Sequence, residues 1–366
     1  MARKIKVLHL IDSLALGGAQ TMLFACLPRF EAARYDFTLA ALHGGRRAVF
    51  WERARGLGFK VVALSPSRFV PLYALTLPGL LALRRYDVVH CHLYAANWLG
   101  KPLARLLGTP AVVGHDHCFD AFRFKAPWRQ IDGWTAGCGH LTFVISSSLA
   151  DRLVREEGLN PKRLVILQNG FASRPPKVPK NGDSDGLRWI GAAGRLVGWK
   201  RFERFLQLAQ AMRAIDPRYA FIIAGDGPAR RELKAMAVDL GLEHHVVFPG
   251  AVARLEPFFD RLSAFVLTSD LEDVPMVLLE AFAHRVPTAT LAISPVRSQL
   301  LRETLLLDPT RKASVWAEEV DGLLRDAAKC SALTSAAAKA LDERFSIDAQ
   351  VAAMDAHYRR LLAGRR

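Results

Sequence analysis

Along the first half of the chain, short runs of β-branched and aliphatic residues recur between longer stretches with helical spacing, at 5–11, 37–42, 60–64, 87–91, 111–114, 141–145 and 165–168. Runs that are apolar throughout, rather than alternating, mark strands covered on both faces, so they predict a parallel sheet with helices in the gaps. From 175 to 186 the pattern collapses into Pro-Pro-Lys-Val-Pro-Lys-Asn-Gly-Asp-Ser-Asp-Gly, breakers without an apolar period. A second alternation follows at 189–193, 221–224, 246–248, 264–268 and 288–292, and residues 348–362 close it as an amphipathic helix. The reading is two α/β domains, 1–175 and 188–345, a linker at 176–187 and a last helical segment at 346–366. A length of 366 residues suits two cores better than one.

Open parallel sheets bind ligands beyond the carboxyl ends of their strands, so the residues after each run carry the candidate chemistry. Glu272 and Glu280 bracket Asp273-Val274-Pro275-Met276-Val277-Leu278-Leu279. Pro275 suits a first helical position, where its missing N–H would be unpaired anyway, and this sets Glu272 just before a helix whose open amides favour a polar ligand. Glu280 falls among apolar neighbours, where a buried carboxylate without a partner costs several kcal/mol; a sugar hydroxyl or Arg285 would serve. Two further loops read Gly194-Arg195-Leu196-Val197-Gly198-Trp199-Lys200 and Ala224-Gly225-Asp226-Gly227-Pro228. Cations at a helix start oppose the macrodipole, so Arg195 and Lys200 there point to an anion. Gly225 to Pro228 lacks the third glycine of the dinucleotide fingerprint, and Asp183-Ser184-Asp185 sits in the linker with no strand before it. In the first half, Gly17-Gly18 opens a helix and offers amides to an anion. His90, His92, His115 and His117 gather at two strand ends in a spacing that matches no standard zinc site.

The order and spacing of these motifs, from Gly17-Gly18-Ala19-Gln20 to the final helix ending in Tyr358, resemble the retaining glycosyltransferases of GT-B fold, family 4 (glycosyl transferases group 1). The resemblance implies two Rossmann-like domains with parallel sheets facing across a deep cleft, the first binding a glycan or glycolipid acceptor, the second a nucleotide diphosphate sugar, and a last helix that packs back on the first. It implies that Arg195 and Lys200 clamp the diphosphate in place of a metal, that Glu272 holds the donor sugar and Glu280 the ribose. Gly225, Gly227, Asp273, Val274 and Pro275 would line the nucleotide pocket, Gly17 and Gly18 would meet the phosphates, and His115 would touch the sugar near the reacting carbon. No metal and no cofactor is expected. The chain departs from the family pattern at Arg201, at His284-Arg285, at Ala172, and at Ser294-Pro295 and Ser298, where the family has glycines or acids. The same fold would also serve a noncatalytic sugar-nucleotide or polyanion binding protein, or a nucleotide-sugar 2-epimerase.

Charge adds a partner. The net charge is +15, and residues 1–178 hold 24 Lys or Arg against 11 Asp or Glu, whereas residues 179–366 hold 26 against 24. No nucleic-acid-binding signature accompanies the basic half; an anionic membrane face fits its aromatic-basic stretch at 122–129, since each basic residue gains about 1 kcal/mol at such a surface. The longest apolar run, 69–83, contains Pro71 and Pro78 and falls short of the roughly 20 residues a spanning helix needs. Five scattered cysteines, and no signal peptide ahead of the first strand, predict a cytoplasmic protein, peripheral on the inner membrane face.

Overall fold

The computed structural model describes residues 3–15, 17–44, 48–67, 69–117, 126–172, 186–252, 254–293, 299–300 and 302–364. Two compact units divide the chain: Met1–Gly170 with Ile347–Arg366, and Phe171–Ser346. Most of the expected linker, residues 122–125 of the aromatic-basic stretch, Cys118, Asp183 to Asp185, Ser294, Pro295 and Ser298 lie outside the described residues.

The first unit holds strands β1 (Ile5–Ile11), β2 (Tyr35–Ala41), β3 (Lys60–Ala63), β4 (Val88–His92), β5 (Ala111–Asp116), β6 (Leu141–Val144) and β7 (Leu164–Ile166). They form one parallel sheet in the order β3-β2-β1-β4-β5-β6-β7. The order turns back between β1 and β4, where α/β sheets open their ligand crevice. On one face the helix Tyr94–Leu106 lies so close that a Cβ on Gly100 would meet Cys91 Sγ and Leu10 Cδ2 at 2.5 Å. Side chains alternate across a strand, so His90 and His92 point to the opposite face from Cys91. There the helix Ile347–Ala363 buries Ile347, Val351, Met354 and Tyr358. Its Tyr358 ring stacks 6.2 Å from Phe30, and Gln350 Oε1 accepts the Gly170 amide at 2.9 Å.

The second unit is a parallel sheet of β8 (Arg188–Ala193), β9 (Tyr219–Ala224), β10 (Val246–Gly250), β11 (Leu262–Leu267), β12 (Thr288–Leu291) and β13 (Leu305–Leu307), in the order β10-β9-β8-β11-β12-β13. Its core packs Phe205, Leu206, Phe221, Val266 and Trp316 between the sheet and its helices. The unit begins at Phe171, whereas the sequence pattern ends the first domain at 175 and opens the second at 188; Phe171 is already engaged, its amide donating to Phe345 O at 2.8 Å and its backbone bridging Ser346. β13 has no counterpart among the expected strands; its run of leucines is too short to display a period. Pro275 is the N-cap of the helix Met276–Ala283, with extended backbone (φ −69, ψ 139), rather than its first helical residue. Among the described residues no helix is long and apolar enough to cross a membrane.

Candidate functional site

In the second unit the loops after β8, β9 and β11 converge at the carboxyl edge of the sheet. The first two are stitched by backbone bonds: Gly194 N to Ala224 O at 2.9 Å, Leu196 N to Asp226 O at 3.0 Å and Ala229 N to Leu196 O at 3.1 Å. That contact requires glycine. A Cβ at Gly225 would lie 1.8 Å from Gly194 O, and one at Gly227 would lie 2.4 Å from Leu196 O, with φ of +143° and +159°. Steric exclusion, and not turn propensity alone, therefore places Gly225 and Gly227 here.

After Leu196 the chain makes a 3-10 turn, Gly198–Lys200, and this turn is bound to the loop after β11. Asp270 N donates to Trp199 O at 3.0 Å, Thr268 Oγ1 to Arg201 O at 2.9 Å, and Arg204 Nη1 to Asp270 Oδ1 at 2.6 Å. Across that seam Lys200 pairs with Glu272, their side chains only 10% and 8% exposed. Ser269 Oγ donates to the same Glu272 Oε1 at 2.8 Å, and the Lys200 ammonium sits 4.6 Å from the Trp199 ring centre. Asp273, next in line, accepts from Gln299 Nε2 at 2.8 Å. Val274 is buried and Glu280 half-buried on the following helix, while Arg195 is exposed on the β8 loop. Lys200 and Glu272 thus meet, on loops that also carry Arg195, Asp273 and Pro275, with the Gly225 and Gly227 loop packed against the first of them. Trp199, Ser269 and Gln299 were not foreseen; of these, Ser269 alone carried a local signal, as a short hydroxyl three residues before Glu272.

Two of the departures from the family pattern acquire a physical meaning. Arg201 and Arg285 stand where the family has glycine, and both have left-handed backbone, φ 55 and φ 54. The loop geometry that glycine would adopt freely is kept and a side chain is held in it, at a cost of roughly 1–2 kcal/mol per residue. Ion pairs from Arg201 to Glu203 and Asp270 offset this at one position. At Arg285 we expect Arg285→Gly to stabilise the protein by about 1 kcal/mol, read as a rise in melting temperature with transfer activity unchanged.

In the first unit, Gly17 has extended backbone (φ −175) and caps the helix Gly18–Cys26, with no side-chain cap bond. The leading amides of this helix have no partner within the helix itself. His115 ends up elsewhere than a ligand surface. It belongs to a layer of five histidines, His9, His90, His92, His115 and His117, whose exposures are 1%, 0%, 0%, 0% and 8%. Parallel registry sets His9 beside His90 and His92 beside His115. Burial pushes every ring toward the neutral form, His9 down to about 3 and His117 to about 4, and His90, His92 and His115 well below the ordinary range. As folded, His115 presents no surface to a sugar. His9 was missed by reading strand ends, because it lies in the middle of β1.

Similarity to known proteins covers both units. Residues 16–173 match the family model for Glycosyltransferase Family 4, and residues 173–340 match that for Glycosyl transferases group 1. The chain is 24% identical over 341 residues to the putative glycosyltransferase EpsF of Bacillus subtilis, covering 86% of each. It is 23% identical over 304 residues to the UDP-Gal:alpha-D-GlcNAc-diphosphoundecaprenol alpha-1,3-galactosyltransferase of Escherichia coli, covering 78% of each. The crystal structure of Anabaena HepE in complex with UDP and glucose superimposes with a TM-score of 0.80 at 19% identity, over 96% of this chain and 99% of that one. With two family models spanning residues 16–340 and a GT-B neighbour matching along almost its whole length, the chain belongs to the group 1, family 4 glycosyltransferases of GT-B fold.

Proposed function

We propose that the protein moves a sugar, with retention of configuration and without a metal, from a nucleotide diphosphate sugar to a lipid-linked glycan in cell-surface polysaccharide synthesis. The observation that carries this reading is the Lys200 to Glu272 contact between the loops after β8 and β11, which the Asp270 to Trp199 and Thr268 to Arg201 bonds hold together. As the sugar–phosphate bond breaks, negative charge builds on the departing diphosphate, and fixed cations there lower the barrier because they are already in place. Lys200 and Arg195 supply that charge. Glu272, oriented by Ser269, accepts hydrogen bonds from hydroxyls of the donor sugar, and Glu280 from the ribose. Asp273, Val274 and Pro275 lead into the helix Met276–Ala283, whose first amides favour an anionic or polar group. Gly17 and Gly18 offer the amides of their own helix to an anion in the same way. The leaving phosphate takes the acceptor proton, so attack and departure share one face of the sugar and the anomeric configuration is kept.

A UDP-sugar is the favoured donor, since the HepE structure holds UDP with glucose and the Escherichia coli relative takes UDP-Gal and a diphosphoundecaprenol-linked acceptor. A peripheral place on the cytoplasmic face of an anionic membrane is supported by the first unit's charge, by its exposed Phe69 (79%), Leu75 (78%), Leu83 (86%) and Trp134 (70%), and by its exposed Arg84, Arg85, Arg105 and Arg129. Binding to vesicles containing anionic lipid should weaken as salt rises past the Debye regime, and Leu75→Ser with Leu83→Ser should reduce it; binding indifferent to both would remove this part.

The purified protein is incubated with UDP-, GDP- and ADP-sugars, with and without a polyprenyl-diphosphate-linked sugar. Release of nucleoside diphosphate coupled to acceptor extension, with the product anomer read by NMR, is the expected result. A donor that raises the melting temperature but is never consumed supports the noncatalytic alternative, and inversion of the anomer refutes retention. Product formed from the donor without any acceptor would indicate the epimerase.

A further inference from the structure

The structure assigns a transition-metal site to His92, His115 and His117 on the covered face of the first unit's sheet, with His9 as its outer partner and Zn2+ as the ion best suited to it. The layer is short of hydrogen-bond partners. Parallel strands buried on both faces ordinarily carry Val, Ile and Leu there, yet β1, β4, β5 and the residue that follows β5 put five imidazoles in that layer. Of their ten ring nitrogens, five have no hydrogen-bond partner: His9 Nε2, His90 Nε2, both nitrogens of His115, and His117 Nδ1. A buried polar atom left in that state costs on the order of 1–3 kcal/mol, so the layer as it stands is expensive unless something else binds it.

The geometry indicates what binds. One nitrogen from each of His92, His115 and His117 can be chosen so that all three lie within 4.8 Å of one another. His92 Nδ1 and His117 Nε2 are 3.0 Å apart; two nitrogens on one tetrahedral zinc, each about 2.0–2.1 Å from the ion, stand about 3.3–3.4 Å apart. Small ring rotations therefore replace that contact with a shared ion, and His115, with both nitrogens unpaired and its ring stacked 3.9 Å from that of His117, stands close enough to supply the third ligand after a shift of its ring. Three imidazoles with a fourth position for water make a familiar zinc ligand set.

His92 also has the support that metal-bound histidines need. If Nδ1 holds the ion, Nε2 carries the proton and donates to His9 Nδ1, 2.9 Å away, which fixes the tautomer and the ring plane. The other possible trio, His9, His90 and His92, is less suited, because Tyr358 already occupies His90 Nδ1 at 2.5 Å. His117, the least buried of the five at 8%, gives the route in.

The ion would brace the ends of β4 and β5 in the first unit and takes no part in the donor chemistry assigned to Lys200 and Glu272. Its test is accordingly independent of donor and acceptor. Full-length protein without a polyhistidine tag is stripped with chelator, dialysed against Zn2+ or Co2+, and its metal counted by mass spectrometry. One ion per chain is expected, with visible absorption bands from the Co2+ form that report a low-coordinate nitrogen site. His117→Gln and His92→Gln should each weaken Zn2+ binding by roughly 100-fold, His9→Asn by about 10-fold as an outer partner, and the exposed His244→Gln not at all. Circular dichroism of the metal-free variants checks that each still folds. Should His92→Gln fail that check, His117→Gln and the wild-type stoichiometry decide. Wild-type protein that keeps no ion, or an affinity untouched by His117→Gln, overturns the assignment.

Discussion

Lys200→Ala should lower turnover by roughly 100-fold or more, because it removes a preorganised charge from the point where the leaving diphosphate gains its own. In the free protein Lys200 is paired with Glu272, and both side chains are nearly buried, so the substitution also leaves a desolvated carboxylate with only Ser269 for company. That second effect costs about 1–3 kcal/mol of stability and could be mistaken for the first. The double variant Lys200→Ala with Glu272→Ala separates them: stability should return most of the way, since no lone charge remains, while activity should stay at or below that of the single variant. Steady-state kinetics and melting curves on wild type, both single variants and the double variant provide the comparison. If the double variant recovered activity along with stability, the pair would be a structural strut and the diphosphate would have to be held by other groups.

How much of this was legible in the chain depended on the kind of signal. β1 was read with the bounds it has, and β4, β5 and β8 within a residue or two, because buried parallel strands are written as continuous apolar runs between breakers. β13 was missed because three leucines carry no period and its role as an edge strand is set by β12 beside it. The meeting of Lys200 and Glu272 was expected from a family resemblance, but no local rule pairs residues 72 positions apart; parallel topology does so, by placing the ends of β8 and β11 side by side. Arg201 and Arg285 looked like defects in a pattern until their backbone angles showed the pattern preserved. The histidine layer was half visible: His90, His92, His115 and His117 could be grouped by sequence, whereas His9 joins them only through the β1–β4 registry. The spacing of the four matched no standard zinc site, because such spacing rules describe ligands on neighbouring turns and not on separate parallel strands.

Tyr358→Ala should destabilise the first unit by about 3–5 kcal/mol, the range for removing a large aromatic side chain from a core that cannot collapse around the gap. Tyr358 has 0% exposure and lies against Phe30 at 6.2 Å and Tyr35 at 6.4 Å between ring centres. It is the point at which the helix Ile347–Ala363, 200 residues or more beyond most of its neighbours in sequence, is fastened to Tyr35 of β2 and His90 of β4. Burial raises its phenol well above the ordinary range, so the hydroxyl remains protonated, and it shares a hydrogen bond with His90 Nδ1 at 2.5 Å. Tyr358→Phe keeps the ring and removes only that hydrogen bond, leaving a buried imidazole nitrogen unpaired; about 1–3 kcal/mol is expected. Denaturant melts followed by a probe in the first unit measure both. Because the helix returns only after the second unit has been made, Tyr358→Ala should also make the last twenty residues preferentially sensitive to protease while the second unit keeps its own transition. Equal losses for Phe and Ala would mean that the hydrogen bond to His90, and not packing, secures the helix.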